Sequence, residues 1–336
     1  MSLDAYNWLL GDTPVTGRPP PNRPEFLGAC AYALRSWRVL PHIAARIFAW
    51  SPRHAATPEA DLLRDAVRAI ELHAAIQLQL TRRLTSALDE AGIPHVLLKG
   101  AAARHVVWER PEQRGSWDID LGVPEPWLPQ AERVVRAQGY LPAVLDRKTM
   151  ALCRISRLQR VFQETGHYEL CPMAREMEVE DLDPQDAAAI RRVWVALGRL
   201  VWWEGDGVLL CRTGVDVHHG LVAGVPVDDV VRTRRRVDGW PVPTTAWMLA
   251  HLLLKLDFDA GVKAEASLWT LVDLGRLWAR LEAEGGQAEL TEVLAPYADR
   301  PLIRLALAGL VDQPEALAIA VMAEAERRFL EMRSTP

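Results

Sequence analysis

Asp118 and Asp120 stand in the short apolar segment DIDLGV (118–123). Side chains at positions i and i+2 of a strand share a face, so the two carboxylates project together about 6.5 Å apart along the backbone. Aspartate is a poor strand former and adjacent anions repel. A strand with two positions of this kind is therefore a candidate site for a hard cation with oxygen ligands, of which Mg²⁺ is the natural guest. A strand that merely begins at a solvent edge would carry the same residues. GVDVHH (214–219) repeats the device, with Asp216 and His218 on one face and Val215 and Val217 on the other. A third carboxylate on a neighbouring strand would complete a site for two ions about 3.5–4 Å apart, the spacing used for in-line displacement at phosphorus. His218 on its own reads as an ordinary polar residue at a strand end.

Lys99 and Gly100 close one apolar segment and open a helix. Glycine lets a phosphate approach the backbone, a helix N-terminus offers free N–H groups, and lysine adds a point charge. LLKG (97–100) is a weak motif, and GxxxxGK[ST] and GxGxxG are both absent from the sequence. HExxH, GxSxG and HRDxxxxN are absent too, and HYE (167–169) lacks the PCxxC that a zinc deaminase requires. The basic run Arg232, Arg234, Arg235 and Arg236 could meet a polyanion such as tRNA or a triphosphate; a solvated helix face explains it equally well.

The elements that must position these residues are legible in outline. Apolar residues recur at helical spacing over 25–50, with a break at Pro41. A longer helix runs from a Thr57 N-cap to Ala91 and stops at Gly92. The period then changes: strand 93–98, helix 101–108, strand 118–123 and helix 126–139 form an alternating unit. Strands are expected at 167–170, 208–211 and 214–219, with a turn at Gly205-Asp206-Gly207, and a helix over 184–198. After Pro243 the pattern is helical: 244–258, 264–284, then weaker amphipathic segments to Met332. The resulting division is a flexible arm (1–24), an N-terminal helical region (25–92), a core bearing the acids (93–225) and a C-terminal helical domain (226–336).

Length and composition set the outer bounds. The chain has 336 residues, of which 49% are hydrophobic and 25% charged, the ordinary mix of a globular protein with a sizeable core. Its net charge of −5 disfavours a dedicated DNA-backbone binder. Cys30, Cys153, Cys171 and Cys211 form no CxxC pair, the usage of a reducing compartment. No signal peptide is recognisable at the N-terminus, and the longest apolar stretches fall short of the roughly 20 residues that span a bilayer. A cytoplasmic protein without a membrane partner is expected. The 13 tryptophans read as large packing surfaces rather than base-stacking sites.

HVLLKGAAA (95–103), QRGSWDIDLGV (113–123) and GVDVHHGL (214–221), in that order, resemble the nucleotidyltransferase superfamily typified by DNA polymerase beta. The likeness is greatest to its bacterial branch of uncharacterised nucleotidyltransferases, and AWMLAHLLLKLDFDAG (246–261) and LWTLVDLGRL (268–277) look like the helical half of that branch. The resemblance implies an α+β fold, with a small mixed sheet bearing three acids and helices packed around it. It implies that Asp118 and Asp120 bind two Mg²⁺ ions, and that Asp216 completes one of those sites and helps deprotonate an acceptor hydroxyl. Lys99, Gly100, Arg114 and Ser116 would hold the triphosphate, with His218 as an orienting group. The expected activity is transfer of a nucleoside monophosphate, AMP by preference, from an NTP to a hydroxyl on a small molecule, peptide or RNA. Two positions depart from the pattern. Trp117 replaces the small hydroxyl residue before the first aspartate, with Ser116 one place earlier, and Gly100-Ala101 replaces Gly-Ser. The alternatives are a catalytically silent nucleotide- or protein-binding module, and a toxin-like tRNA-modifying enzyme that uses the 232–236 arginines.

Overall fold

In the computed structural model, the described residues are 21–309, apart from 147, 165–166, 198–200 and 263–267. The expected α+β architecture is present: a mixed sheet with helices around it.

The N-terminal helical pattern resolves into α1 (Arg23–Arg35) and α2 (Leu40–Trp50), separated by a 3₁₀ turn over Trp37–Val39. Pro41 does not break a helix; it sits at the start of α2, where its missing N–H is harmless. α3 (Pro58–Glu90) begins as its cap predicts, the Thr57 hydroxyl accepting from the Ala60 N–H at 3.3 Å, and Gly92 follows its end at φ +67°. The expected strand over 93–98 contracts to β1 (Val96–Leu97), followed by α4 (Lys99–Val106), β2 (Asp118–Gly122) and α5 (Leu128–Ala137).

Beyond α5 the sequence reading needs correction. β3 (Leu141–Leu145), β4 (Leu152–Arg154), α6 (Arg157–Glu164) and β5 (Met173–Glu178) were not foreseen, and residues 167–170 make only an isolated bridge, Glu169 to His218. α7 (Pro184–Val193) is shorter than expected. β6 (Trp202–Gly205) turns at Asp206 (φ +52°) and Gly207 (φ +80°) into β7 (Val208–His218). Two successive positive φ values suit the twist of a tight hairpin. The strands expected at 208–211 and 214–219 are thus one continuous strand, because Arg212 and Thr213 are buried within it rather than looping out.

The sheet order is β1-β2-β7-β5-β3-β4, with β6 on the other part of β7; β2 and β7 run parallel and the remaining neighbours antiparallel. Ile119, Leu121, Val215 and Val217 are buried in one cluster with Ala131 and Val135 of α5, so the acids on alternate positions face the other way. The same cluster takes in Leu80–Leu88 of α3 and most of α9 (Thr245–Val262). A second cluster joins α1, α2, the first half of α3 and α7 around Trp202. Two hairpin-like pairs follow β7: β8 (Gly220–Val222) with β9 (Val225–Pro226), then, after α8 (Asp228–Thr233), β10 (Arg235–Val237) with β11 (Trp240–Val242). α10 (Leu268–Glu284), α11 (Gln287–Leu294) and α12 (Pro301–Leu307) complete the described chain. The helical pattern read over 310–332 lies outside the described residues.

Candidate active site

The parallel pairing of β2 with β7 sets the site. Its register matches Asp118 with Gly214, Asp120 with Asp216 and Gly122 with His218. Three aspartates separated by about a hundred residues of chain therefore reach one face of two adjacent strands. One donor atom each from Asp120, Asp216 and His218 lie within 4.8 Å of one another. Asp118 stands two positions upstream of Asp120 and accepts a 3.0 Å hydrogen bond from Ser116 Oγ.

Lys99, at the start of α4, reaches into this cluster. Its Nζ donates to Asp120 Oδ1 at 2.7 Å and lies 3.2 Å from His218 Nε2. His218 is fully buried, with Nε2 2.9 Å from Asp120 Oδ1 and Nδ1 3.3 Å from Glu169 Oε2. The Tyr168 ring stacks on the imidazole at 5.9 Å. The backbone of Lys99 is left-handed, at φ +45°, a conformation a residue with a Cβ adopts at a cost, and one that clusters at functional sites.

The electrostatics of the two central acids diverge. Burial acts to raise the pKa of Asp120, but Lys99 and His218 hold its carboxyl well below the usual carboxylate range. Asp216 shifts the other way: burial, then the charges of Asp118, Asp120 and Glu169, push it well up, and Lys99 opposes this only in part. Burial works against the Lys99 ammonium, yet Asp120, Glu169 and Asp118 more than offset it and raise its pKa.

The turn before β2 brings up the remaining predicted residues. A Cβ on Gly100 would lie 3.4 Å from Arg114 Nη2 and 3.7 Å from Ser116 Oγ, so Gly100, Arg114 and Ser116 line one small surface at the start of α4. The Trp117 departure leaves the Ser116 hydroxyl on that surface, against Asp118. Arg114 is buried and held by Asp273 of α10: Nε lies 3.0 Å and Nη2 2.8 Å from Oδ2, while Nη1 donates to the Gly115 carbonyl at 2.6 Å. The other turn residues are each fixed by a different element. The Gly115 N–H donates to the Arg38 carbonyl at 2.9 Å, Gln77 of α3 donates to the Ser116 carbonyl at 3.2 Å, and the Gly214 N–H donates to the Trp117 carbonyl at 2.9 Å.

Five residues in or around the site escaped sequence reasoning: Glu169, Asp273, Gln77, Arg104 and Arg38. Arg104 shares a face of α4 with Gly100, donates to Gln77 Oε1 at 2.7 Å, and has its pKa lowered to about 10 by burial and then by Arg114. Arg38 lies close enough to Asp118 for that charge to oppose the lowering that burial imposes on its own pKa. Only Glu169 carried a usable signal, as an acid inside the expected strand 167–170. The 232–236 arginines do not form one helix face, because α8 ends at Thr233 and β10 begins at Arg235. Arg232 pairs with Asp229, Arg235 with Glu284 and Arg236 with Asp89.

The profile of the family described as uncharacterised nucleotidyltransferase matches residues 28–308. The chain belongs to that family. No curated protein and no solved structure matches it. As a nucleotidyltransferase it is an enzyme that draws on a nucleoside triphosphate. Its donor set of two carboxylates and an imidazole, already holding one ammonium, has the chemistry to take a divalent cation. Among the described residues, no helix is long and apolar enough to cross a membrane.

Proposed function

We propose that this nucleotidyltransferase belongs to the DNA polymerase beta-like superfamily and its bacterial branch, and that it transfers AMP from ATP to an acceptor hydroxyl. The observation that carries the reading is the pairing of Asp120 with Asp216 across parallel strands, with Asp118 on the same face. Three carboxylates so placed repel one another unless cations compensate them, and Asp118, Asp120 and Asp216 would hold two Mg²⁺ ions there. When bound, the ions would neutralise charge on the phosphates and acidify the acceptor hydroxyl. The acceptor oxygen forms its bond to the α-phosphorus, the bridging oxygen to the β-phosphorus leaves with pyrophosphate, and the hydroxyl proton passes to Asp216.

Lys99, Gly100, Arg114 and Ser116 are the triphosphate-binding residues in this reading. A side chain at Gly100 would meet Arg114, and α4 begins at Lys99, so the N–H groups of its first turn lack partners within the helix. His218, fixed between Asp120 and Glu169, orients the Asp120 carboxylate. The carboxylate partners of Arg232, Arg235 and Arg236 weigh against a basic channel for tRNA.

The test is incubation with α-labelled NTPs and cell extract, followed by identification of the labelled acceptor and measurement of pyrophosphate release. Asp118→Ala and Asp120→Ala should stay folded and lose turnover. Full activity in either variant would sink the assignment. Binding of ATP without any pyrophosphate release would leave a silent nucleotide-binding module in its place.

A further inference from the structure

Lys99 occupies the position in the acidic cluster that a divalent cation would need. Its ammonium lies 2.7 Å from Asp120 Oδ1 and 3.2 Å from His218 Nε2, two of the three groups whose donor atoms converge. Four carboxylates act on the cluster, from Asp118, Asp120, Asp216 and Glu169. Asp120 is only 3% exposed, and without Lys99 it would be a buried anion with the His218 imidazole as its remaining close partner. The backbone that delivers this side chain is left-handed at Lys99, and such a conformation persists only where its surroundings enforce it.

A divalent cation bound to the same Asp120 oxygen would stand within a few ångströms of the ammonium, and the two like charges would compete for one carboxylate. We propose that Lys99 is the internal counter-cation of the metal-free site, and that a divalent cation entering between Asp120, Asp216 and His218 displaces it toward the triphosphate. The inference rests on the reading that this cluster holds a divalent cation. Lysine suits the exchange because its flexible stem carries three donors that can be turned to new partners, and phosphate oxygens are ready acceptors. The new partners are close at hand, since Lys99 directly precedes Gly100, whose backbone lies beside Arg114 and Ser116. Metal binding thus competes with a built-in cation, and the released ammonium is delivered only when the site is charged with metal.

Two measurements that need no turnover test this. The first is Mn²⁺ binding, followed by the electron paramagnetic resonance of the free ion, to the wild-type protein, Lys99→Met and Asp120→Asn. Lys99→Met should bind Mn²⁺ about tenfold more tightly or better, because a competing positive charge is gone, while Asp120→Asn should bind far more weakly. An affinity in Lys99→Met equal to or below that of the wild type overturns the proposal and leaves the metal-dependent reading standing. Absence of Mn²⁺ binding in every form, with or without ATP, overturns both. The second needs no destabilising variant. The chain has four lysines (Lys99, Lys148, Lys255 and Lys263), so ¹⁵N-lysine labelling resolves the ammonium signals, and Lys99→Arg assigns the one in question. In the metal-free protein the ammonium that Lys99→Arg removes should be protected from exchange, beside that of Lys255, which pairs with Asp259, and the Lys99 protection should vanish on titration with Mg²⁺. Its persistence while calorimetry records Mg²⁺ binding overturns the proposal.

Discussion

Substituting Asp273 by alanine tests how the surface beside Gly100 is held. The Arg114–Asp273 pair is 4% and 2% exposed, and both Nε and Nη2 of the guanidinium contact Oδ2, at 3.0 and 2.8 Å. Breaking a buried ion pair by removing one partner costs about 3–5 kcal/mol, because the other charge is left without compensation. The Gly115 carbonyl retains its bond to Nη1 but cannot neutralise a cation, so the full range applies. A loss of 1 kcal/mol lowers the melting temperature by about 2–4 °C in domains of roughly 150–250 residues, so Asp273→Ala should melt about 6–20 °C below the wild type. The larger size of this chain favours the lower end. The double variant Arg114→Met/Asp273→Leu removes both charges and should recover part of that stability while still binding ATP weakly, since the buried Trp108 indole N–H, which donates to Asp273 Oδ1 at 2.9 Å, is left without that acceptor. Thermal and urea unfolding, read with a fluorescent ATP analogue, give both quantities. A loss of under about 1 kcal/mol in Asp273→Ala, a size usual for exposed ion pairs, would refute the burial of this pair and the rigid placement of Arg114 that depends on it.

Asp216 should destabilise the metal-free protein at neutral pH. Its folded pKa is raised above the unfolded value of about 3.9, so the native state holds the proton more tightly and stability declines as pH rises through the interval between them. Asp216→Asn should therefore unfold at higher temperature than the wild type at pH 7, with the difference closing towards pH 4; no gain at pH 7 would contradict the assigned shift. Asp120 has the opposite sign: its contribution is present above the unfolded value and lost as pH falls, so Asp120→Asn should lower stability at pH 7. Gly100→Ala places a methyl group 3.4 Å from Arg114 Nη2, an ordinary van der Waals contact. It should leave the melting temperature within a few degrees of the wild type and raise KM for ATP more than it lowers kcat, as steady-state kinetics would show.

The aspartates were legible because their spacing carries information at short range. Period two in DIDLGV and GVDVHH fixed which side chains share a face, and the hydrophobic alternation fixed which face is buried. The order of the strands was not legible, since β7 lies beside β2 only after some ninety residues of intervening chain. For the same reason Asp273 could not be found: it stands in an ordinary amphipathic helix, and only packing reveals that it receives Arg114. The sequence of β5, MAREME, does not alternate: its apolar residues Met173, Ala174 and Met177 stand at a spacing that also suits a helix. β10 and β11 carry a hairpin signal in the Asp238-Gly239 pair, at φ +50° and +84°, directly after the run of arginines.

The helical regions have a defined mechanical part in the site. Residues 114–117 form no helix or strand, yet none of them is left to solvent to fix. The 3₁₀ turn after α1 holds Gly115 through the Arg38 carbonyl, α3 holds Ser116 through Gln77, and α10 holds the Arg114 side chain through Asp273. Gln77 also contacts Thr213 at 3.3 Å and receives Arg104 at 2.7 Å, so one amide joins the turn, β7 and α4. Such a network is worth more than its separate bonds, because each buried polar group lost strands its partners. The aspartates, crowded and mutually repelling, are compensated only in part by the Lys99 ammonium. The turn that aims the first of them is instead braced from three helical elements outside the sheet, which is how a small sheet of short strands keeps its acids in register before any ligand arrives.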